Sequence, residues 1–241
     1  MAFRSWRGVV GVIKPTHRPG SLEEFIRLIP EGIGVIPTFL GIKTGTEKEF
    51  SSVLDAVKEK MAELAELEVD IIHAEGAPPF MLLGYQGEAK LIRGLARKHK
   101  RPISTSGTTQ VDALKALKIK KFVGVTYFTG SINEKYARYF TQAGFNVLGM
   151  DGISVPFDEV GRLASEEVYA FVKQQFLKYK GAQGIYLLGS GWRVLPIISL
   201  LEQDLQVPVV HPVPARVWAV QKELHVREKI EGFGRLLEEM P

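Results

Sequence analysis

The chain repeats one plan twice, and that repetition limits its fold more than any single motif does. VVGVIKPT at 9–16 is answered by FVGVTYFT at 122–129, each a β-rich run that ends in a polar loop. VDIIHAEGAPP at 69–79 is answered by QGIYLLGSGWR at 183–193, which sets Gly76 over Gly189 and Ala77 over Ser190. RPISTSGTTQVDALKAL at 101–117 is answered by VPVVHPVPARVWAVQKEL at 207–224, in both cases a strand, a turn and a helix. Matches that keep one order along the chain point to a duplicated unit.

Between these runs lie segments of helical period. Phe50 to Leu67 places Val53, Val57, Met61 and Leu64 on one face, and Glu134 to Gln142 and Glu166 to Tyr179 repeat the habit. Short β-rich runs alternating with such helices predict an α/β fold with mainly parallel sheets, here two pseudo-symmetric, doubly wound lobes with the active cleft between them. The expected division is a first lobe over 1–116, a second over 117–214, and a C-terminal helical segment 215–241 packing back on the first. Parallel sheets bind ligands outside the carboxyl ends of their strands. The loops Gly76–Pro79 and Gly189–Arg193 are therefore expected to face one cleft.

Composition narrows the chemistry. The sequence has no cysteine, which excludes disulfides, thiolate metal sites and thiol nucleophiles, and its five histidines form no H-x-x-x-H pair, so no metal is expected. An apolar share of 45% suits a chain that buries a real core. No run of about 20 apolar residues occurs, and the apolar run near the start is too short for a secretory leader, so a soluble, cytoplasmic protein without a membrane partner is expected. The net charge of +4 raises the question of nucleic acid. The basic residues are dispersed, however, and the one dense cluster, Arg97-Lys98-His99-Lys100-Arg101, ends a helical pattern just before Pro102. Cations complement a helix C-terminus, and no nucleic-acid partner is expected.

At Gly76-Ala77-Pro78 and Gly189-Ser190-Gly191 the sequence resembles the aspartate/glutamate racemase superfamily, in its arylmalonate decarboxylase and maleate isomerase branch. The same resemblance runs through STSGTTQVDALKALKIKKFVGVTYFTGSIN at 104–133, LLGSGW at 187–192 and the VPVV and PARVWA stretches within 207–219. It covers nearly the whole chain and implies the family's fold, with a small carboxylate as substrate and no cofactor. Members of the family use one or two cysteines at the two strand-end loops, and the matching positions here are Ala77 and Ser190. A thiol of pKa about 8.5 exchanges protons near neutrality, whereas a serine hydroxyl needs an activating base. Two-thiol racemisation and thiolate addition to the double bond of maleate are thereby excluded.

What the resemblance leaves is a decarboxylase-like route through an enediolate held by hydrogen-bond donors. It supplies Tyr127 and the backbone N–H groups of Ser190 and Gly191, while Ala77 and Pro78 have lost donors that the first loop would otherwise offer. Glu75, just before the Gly76 turn, is a candidate acid or base if apolar neighbours raise its pKa, and either it or Tyr127 would handle the proton. His73, two residues earlier on the same strand face, is read as a core histidine. Lys14, beside Pro15 in the first loop, and Arg193, after Trp192, suit an acidic substrate, with His17 and Arg18 less well placed than Lys14. Phe50, Tyr85 and Trp192 would shape an aromatic-tolerant pocket.

Two other readings stay open. His211, ending the VPVV strand, could deprotonate Ser190 and make a hydrolase of small esters or amides, although the run Leu188-Gly189-Ser190-Gly191-Trp192 is no G-x-S-x-G elbow. The chain could also be a catalytically silent carboxylate-binding relative. The expected site thus comprises Ser190, Tyr127 and Glu75 as catalytic groups, with Lys14, Pro15, Gly76, Ala77, Pro78, Gly191, Trp192, Arg193 and His211 around the substrate. A homo-oligomer is compatible with the apolar helix faces.

Overall fold

The computed structural model describes residues 5–241. The first half contains β1 (Gly8–Lys14), β2 (Ile33–Phe39), β3 (Ile71–Ala74) and β4 (Ile103–Thr105). The second contains β5 (Lys121–Thr126), β6 (Asn146–Gly152), β7 (Ile185–Leu187) and β8 (Val209–Val210). They form two four-stranded sheets, in the orders β2-β1-β3-β4 and β6-β5-β7-β8. Every pairing is parallel. The three matched segments of the sequence are β1 with β5, β3 with β7 and β4 with β8, so the repetition is a repetition of sheets.

The inner strands are nearly continuous apolar runs because both their faces are covered. Val10, Val12 and Ile13 of β1, like Phe122, Val123 and Val125 of β5, are wholly buried. The edge strands β2 and β6 lack that signature. Pro37 interrupts β2, which is tolerated at an edge, and β6 carries Gly149 and Gly152 with no fully buried residue.

Helices cover the sheets much as the periodicity predicts, with one difference. The stretch expected as a single helix from Phe50 to Leu67 is two helices, Glu47–Ser52 and Leu54–Glu66, meeting at Val53. The Thr46 side chain caps the first by accepting from the Glu49 N–H. Val57, Met61 and Leu64 are buried as expected, whereas Val53 at the junction is half-buried. The basic cluster ends the helix Gly84–His99, where Lys100 closes it in the left-handed conformation.

Two helices matter most for the site. Ser106–Ala116 follows β4 and Pro212–Glu223 follows β8, and they pack on each other. Pro212–Glu223 also packs on the helix Gly20–Leu28, which carries side chains of the second half into the first. In each sheet the chain leaves the second-position strand toward one edge and later returns on its other side, which opens a crevice at the carboxyl ends of β1 and β3, and of β5 and β7. Among the described residues no helix is long and apolar enough to cross a membrane.

Candidate active site

β1 and β3 are neighbours in register, with Ile13 beside Ala74, so Lys14 and Glu75 leave the sheet side by side. Their side chains are bridged by Ser21, in the first turn of Gly20–Leu28. Its hydroxyl accepts from Lys14 Nζ at 2.5 Å and donates to Glu75 Oε1 at 2.5 Å. Lys14 Nζ itself lies 3.6 Å from that oxygen. Ser190 Oγ, from the other half of the molecule, donates to the same oxygen at 2.7 Å. Arg216 takes the second oxygen: Nη1 lies 2.6 Å from Glu75 Oε2, while Nη2 reaches the Ser21 carbonyl at 3.0 Å. The guanidinium also rests 4.1 Å over the Phe25 ring. Lys14, Ser21, Glu75 and Arg216 are all buried.

This cluster overturns the expectation of a raised Glu75 pKa. Burial alone would push the carboxyl up, but the Arg216 and Lys14 charges and the Ser21 and Ser190 hydroxyls outweigh it and hold Glu75 well below the ordinary carboxylate range. It is an ionised acceptor, not a proton donor. Lys14 is lowered in turn, mainly by burial.

The two strand-end turns are built on glycine. Gly76 has φ +93° and Gly189 φ +96°, backbone that side chains with a Cβ rarely adopt. A Cβ on Gly189 would overlap the Tyr127 ring, so the glycine is what lets Tyr127 lie across the turn. Trp192 backs that ring edge-on, at 5.2 Å between centroids and 90° between planes. Burial pushes the Tyr127 hydroxyl up to about 12, with Arg18 and the Gly191 N–H opposing the rise. In the first loop the Gly76 N–H donates to Ser106 Oγ at 3.1 Å.

Between the turns the cleft has two compartments. One lies among Phe50, Pro78, Pro79, Phe128, Leu188 and Pro212, with Gly76 and Ala77 in its wall. Ser106 and Gln110 also line it, and among the described residues no charged side chain does. The other is lined by Lys14, Thr16, Arg18, Ser21, Glu75 and Gly191. Pro15, Tyr127, Phe157 and Ser190 line both, and so form a waist.

Most of the residues singled out in the sequence meet here: Lys14, Pro15, Glu75, Gly76, Ala77, Pro78, Tyr127, Ser190 and Gly191 line one compartment or both. Others do not behave as expected. Arg193 is exposed and lines a separate surface groove with Glu24 and Arg27, because the chain turns outward after the buried Trp192. Lys14 is committed to Ser21 and Glu75. Arg18, 4.4 Å over the Phe157 ring, is the half-buried cation of the polar compartment instead.

His211 is not paired with Ser190. Its Nε2 lies 3.1 Å from the Gly189 carbonyl and therefore carries the proton, while Nδ1 accepts from the Val213 N–H at 3.4 Å as a helix cap. Burial lowers it to about 3. His73 is likewise a neutral core residue, with Nδ1 2.9 Å from Ser104 Oγ and burial lowering it to about 3. Tyr85 packs on Tyr139 outside both compartments. Sequence reading missed Ser21 and Arg216. The signal for Arg216 was a charge inside the apolar helix PVPARVWAV, since a buried arginine requires a partner.

Two parallel sheets of one order, with a divided cleft walled by their facing strand-end loops, define a duplicated two-lobed α/β class. Within that class the chain belongs to the arylmalonate decarboxylase family, whose model matches residues 10–237. It is 23% identical to the arylmalonate decarboxylase of Bordetella bronchiseptica over 236 residues, covering 95% of this chain and 96% of that one. It is 25% identical over 199 residues to a maleate isomerase of Pseudomonas putida, covering 79% of each. The fold superposes on a double mutant of arylmalonate decarboxylase in its liganded form with a TM-score of 0.88 at 22% identity, covering 96% of this chain and 99% of that one. For a maleate isomerase from Pseudomonas putida S16 with maleate the TM-score is 0.84 at 20% identity, with 96% and 97% covered.

Proposed function

We propose that this protein is a cofactor-independent enzyme acting on a small carboxylic acid by a decarboxylase-like reaction through an enediolate. The observation that carries this reading is the waist of the cleft, where Tyr127 and Ser190 line both compartments. A substrate with its reacting carbon at the waist has a carboxylate on the Arg18 side and its apolar substituent among Phe50, Phe128 and Leu188. Beneath the polar side lie two basic groups, Lys14 and Arg216, against the single carboxylate of Glu75. That surplus favours an anion above them.

When one carboxyl group leaves as carbon dioxide, its bonding electron pair stays on the carbon and delocalises into the remaining carboxylate. Donors aimed at such developing charge typically supply ~3 kcal/mol each. The Ser190 N–H and the Arg18 guanidinium are the candidates on this side. The carbon then takes a proton. Glu75 is ionised and has none to give, and the Ser190 proton is engaged by Glu75. Tyr127 remains, and a phenol near 12 is far more acidic than the carbon it serves.

With EDTA present, phenylmalonate, maleate and a phenyl ester separate carbon dioxide release, isomerisation and hydrolysis. Release of carbon dioxide from phenylmalonate is expected, and Tyr127→Phe should lower kcat by about 100-fold or more with little change in KM. Binding of all three without turnover would overturn the reading in favour of a silent carboxylate binder. A wild-type rate in Tyr127→Phe would remove Tyr127 from its role.

A further inference from the structure

The duplication places Gln110 opposite Arg216 when segment 101–117 is set against 207–224, and Glu75 opposite Leu188 when Gly76 is set over Gly189. The structure keeps the correspondence, since Thr105 and His211 cap the two helices that carry Gln110 and Arg216. Each helix sends its side chain into the other half. Arg216 finds the Glu75 carboxylate. Gln110 finds Tyr186 of β7, whose hydroxyl donates to Gln110 Oε1 at 2.9 Å. Among the described residues the buried Tyr186 hydroxyl has that one acceptor, which makes the other terminal atom of Gln110 the amide nitrogen.

That nitrogen is the unfinished part of the symmetry. Leu188 stands where the matching carboxylate would be, and Gln110 Nε2 has no partner among the described residues although the side chain is wholly buried. A buried amide donor without an acceptor is unfavourable, and here it belongs to a side chain that lines the apolar compartment. Ser106 stands beside it in the same wall. Its oxygen accepts from the Gly76 N–H, which leaves its hydroxyl proton to donate.

We propose that Gln110 Nε2, assisted by the Ser106 hydroxyl, recognises an uncharged hydrogen-bond acceptor carried on the substrate's substituent, such as a ring nitrogen or a ketone or ether oxygen on an aryl group. A second carboxylate is excluded from this role because no cation among the described residues lines the compartment. The inference deepens the proposed function and rests on it only for the placement of the carboxylate at the other end.

The test compares phenylacetate with the three pyridylacetates by titration calorimetry, and benzene with pyridine by ligand-observed NMR, both at pH 8. The proteins are the wild type, the double variant Gln110→Met with Tyr186→Phe, which leaves no orphaned hydroxyl, and Gln110→Glu, which keeps the acceptor for Tyr186 but replaces the donor. At least one pyridylacetate should bind the wild type about 3- to 10-fold more tightly than phenylacetate, the range of one neutral hydrogen bond. The preference should shrink to within about 2-fold in the double variant and reverse in Gln110→Glu. If the double variant does not fold, Gln110→Glu decides alone. A wild type that binds phenylacetate at least as well as every pyridylacetate overturns the inference, as does a preference that survives both variants. If no acetate binds but pyridine still beats benzene in a Gln110-dependent way, the carboxylate reading falls and this one stands. If neither pair shows a Gln110-dependent preference, this inference is overturned.

Discussion

The two halves carry the same four strands in the same order, yet they end their third strand in opposite ways. At the end of β3 stands Glu75, ionised and gripped by Arg216, Lys14 and two serine hydroxyls. At the end of β7 stands Leu188, apolar, in the wall of an uncharged compartment. The matching helix positions follow suit, with Arg216 on the charged side and Gln110 on the neutral side. A repeated backbone sets out equivalent places around a cleft, and single side chains then decide which end takes a charge and which takes a hydrocarbon.

The sharpest way to break this contrast is to remove its two helix residues. Arg216→Met leaves Glu75 buried without its guanidinium and should cost about 3–5 kcal/mol in urea unfolding, whereas Gln110→Met, which strands only the Tyr186 hydroxyl, should cost about 1–3 kcal/mol. Equal losses would mean that the charged cluster does not distinguish the halves. The two turns give the next contrast. Gly189→Ala combines positive φ with overlap on the Tyr127 ring and should cost about 3 kcal/mol. Gly76→Ala has the same backbone strain, but its nearest neighbour is Pro15 Cγ at 3.0 Å, and about 1–2 kcal/mol is expected.

Acid probes both halves together. His73 and His211 are held at about 3 against an ordinary 6.5, so between those values the unfolded chain binds protons that the folded chain refuses. Their contribution is complete above about pH 6.5 and is lost as pH falls through that window. Glu75, held below its ordinary 4.5, adds a further loss below that value. Glu24, pushed up to about 7 mainly by burial, acts in the other direction: its contribution is present below 4.5 and fades as pH rises through 7. His211→Asn should therefore flatten the stability profile between pH 6 and 4 by about one proton, roughly 1.4 kcal/mol per pH unit. An unchanged slope would show that His211 protonates within the fold. The smallest effect belongs to Arg193→Ala, which should change stability by less than about 0.5 kcal/mol and leave KM untouched, while Arg18→Ala should raise KM. A reversal of those two would return Arg193 to the site.

Several features of this protein follow from local pattern alone. The paired segments, the apolar inner strands and the glycine turns are each written in a few adjacent residues, because strand burial, helical period and positive φ are short-range demands. That was enough to reveal two like sheets and to place a cleft at their strand ends. The edge strands β2 and β6 escaped notice because half-buried residues, Pro37 and two glycines give no short-range signal. The states of the site residues escaped for a different reason. Glu75 is ionised because of Arg216, 141 residues away, and Ser190, 115 residues away, points its proton at Glu75 rather than at His211. The charge on a buried group depends on what surrounds it in three dimensions, so only the folded chain could decide which carboxylate is locked, which arginine faces the cleft and which amide is left waiting for a partner.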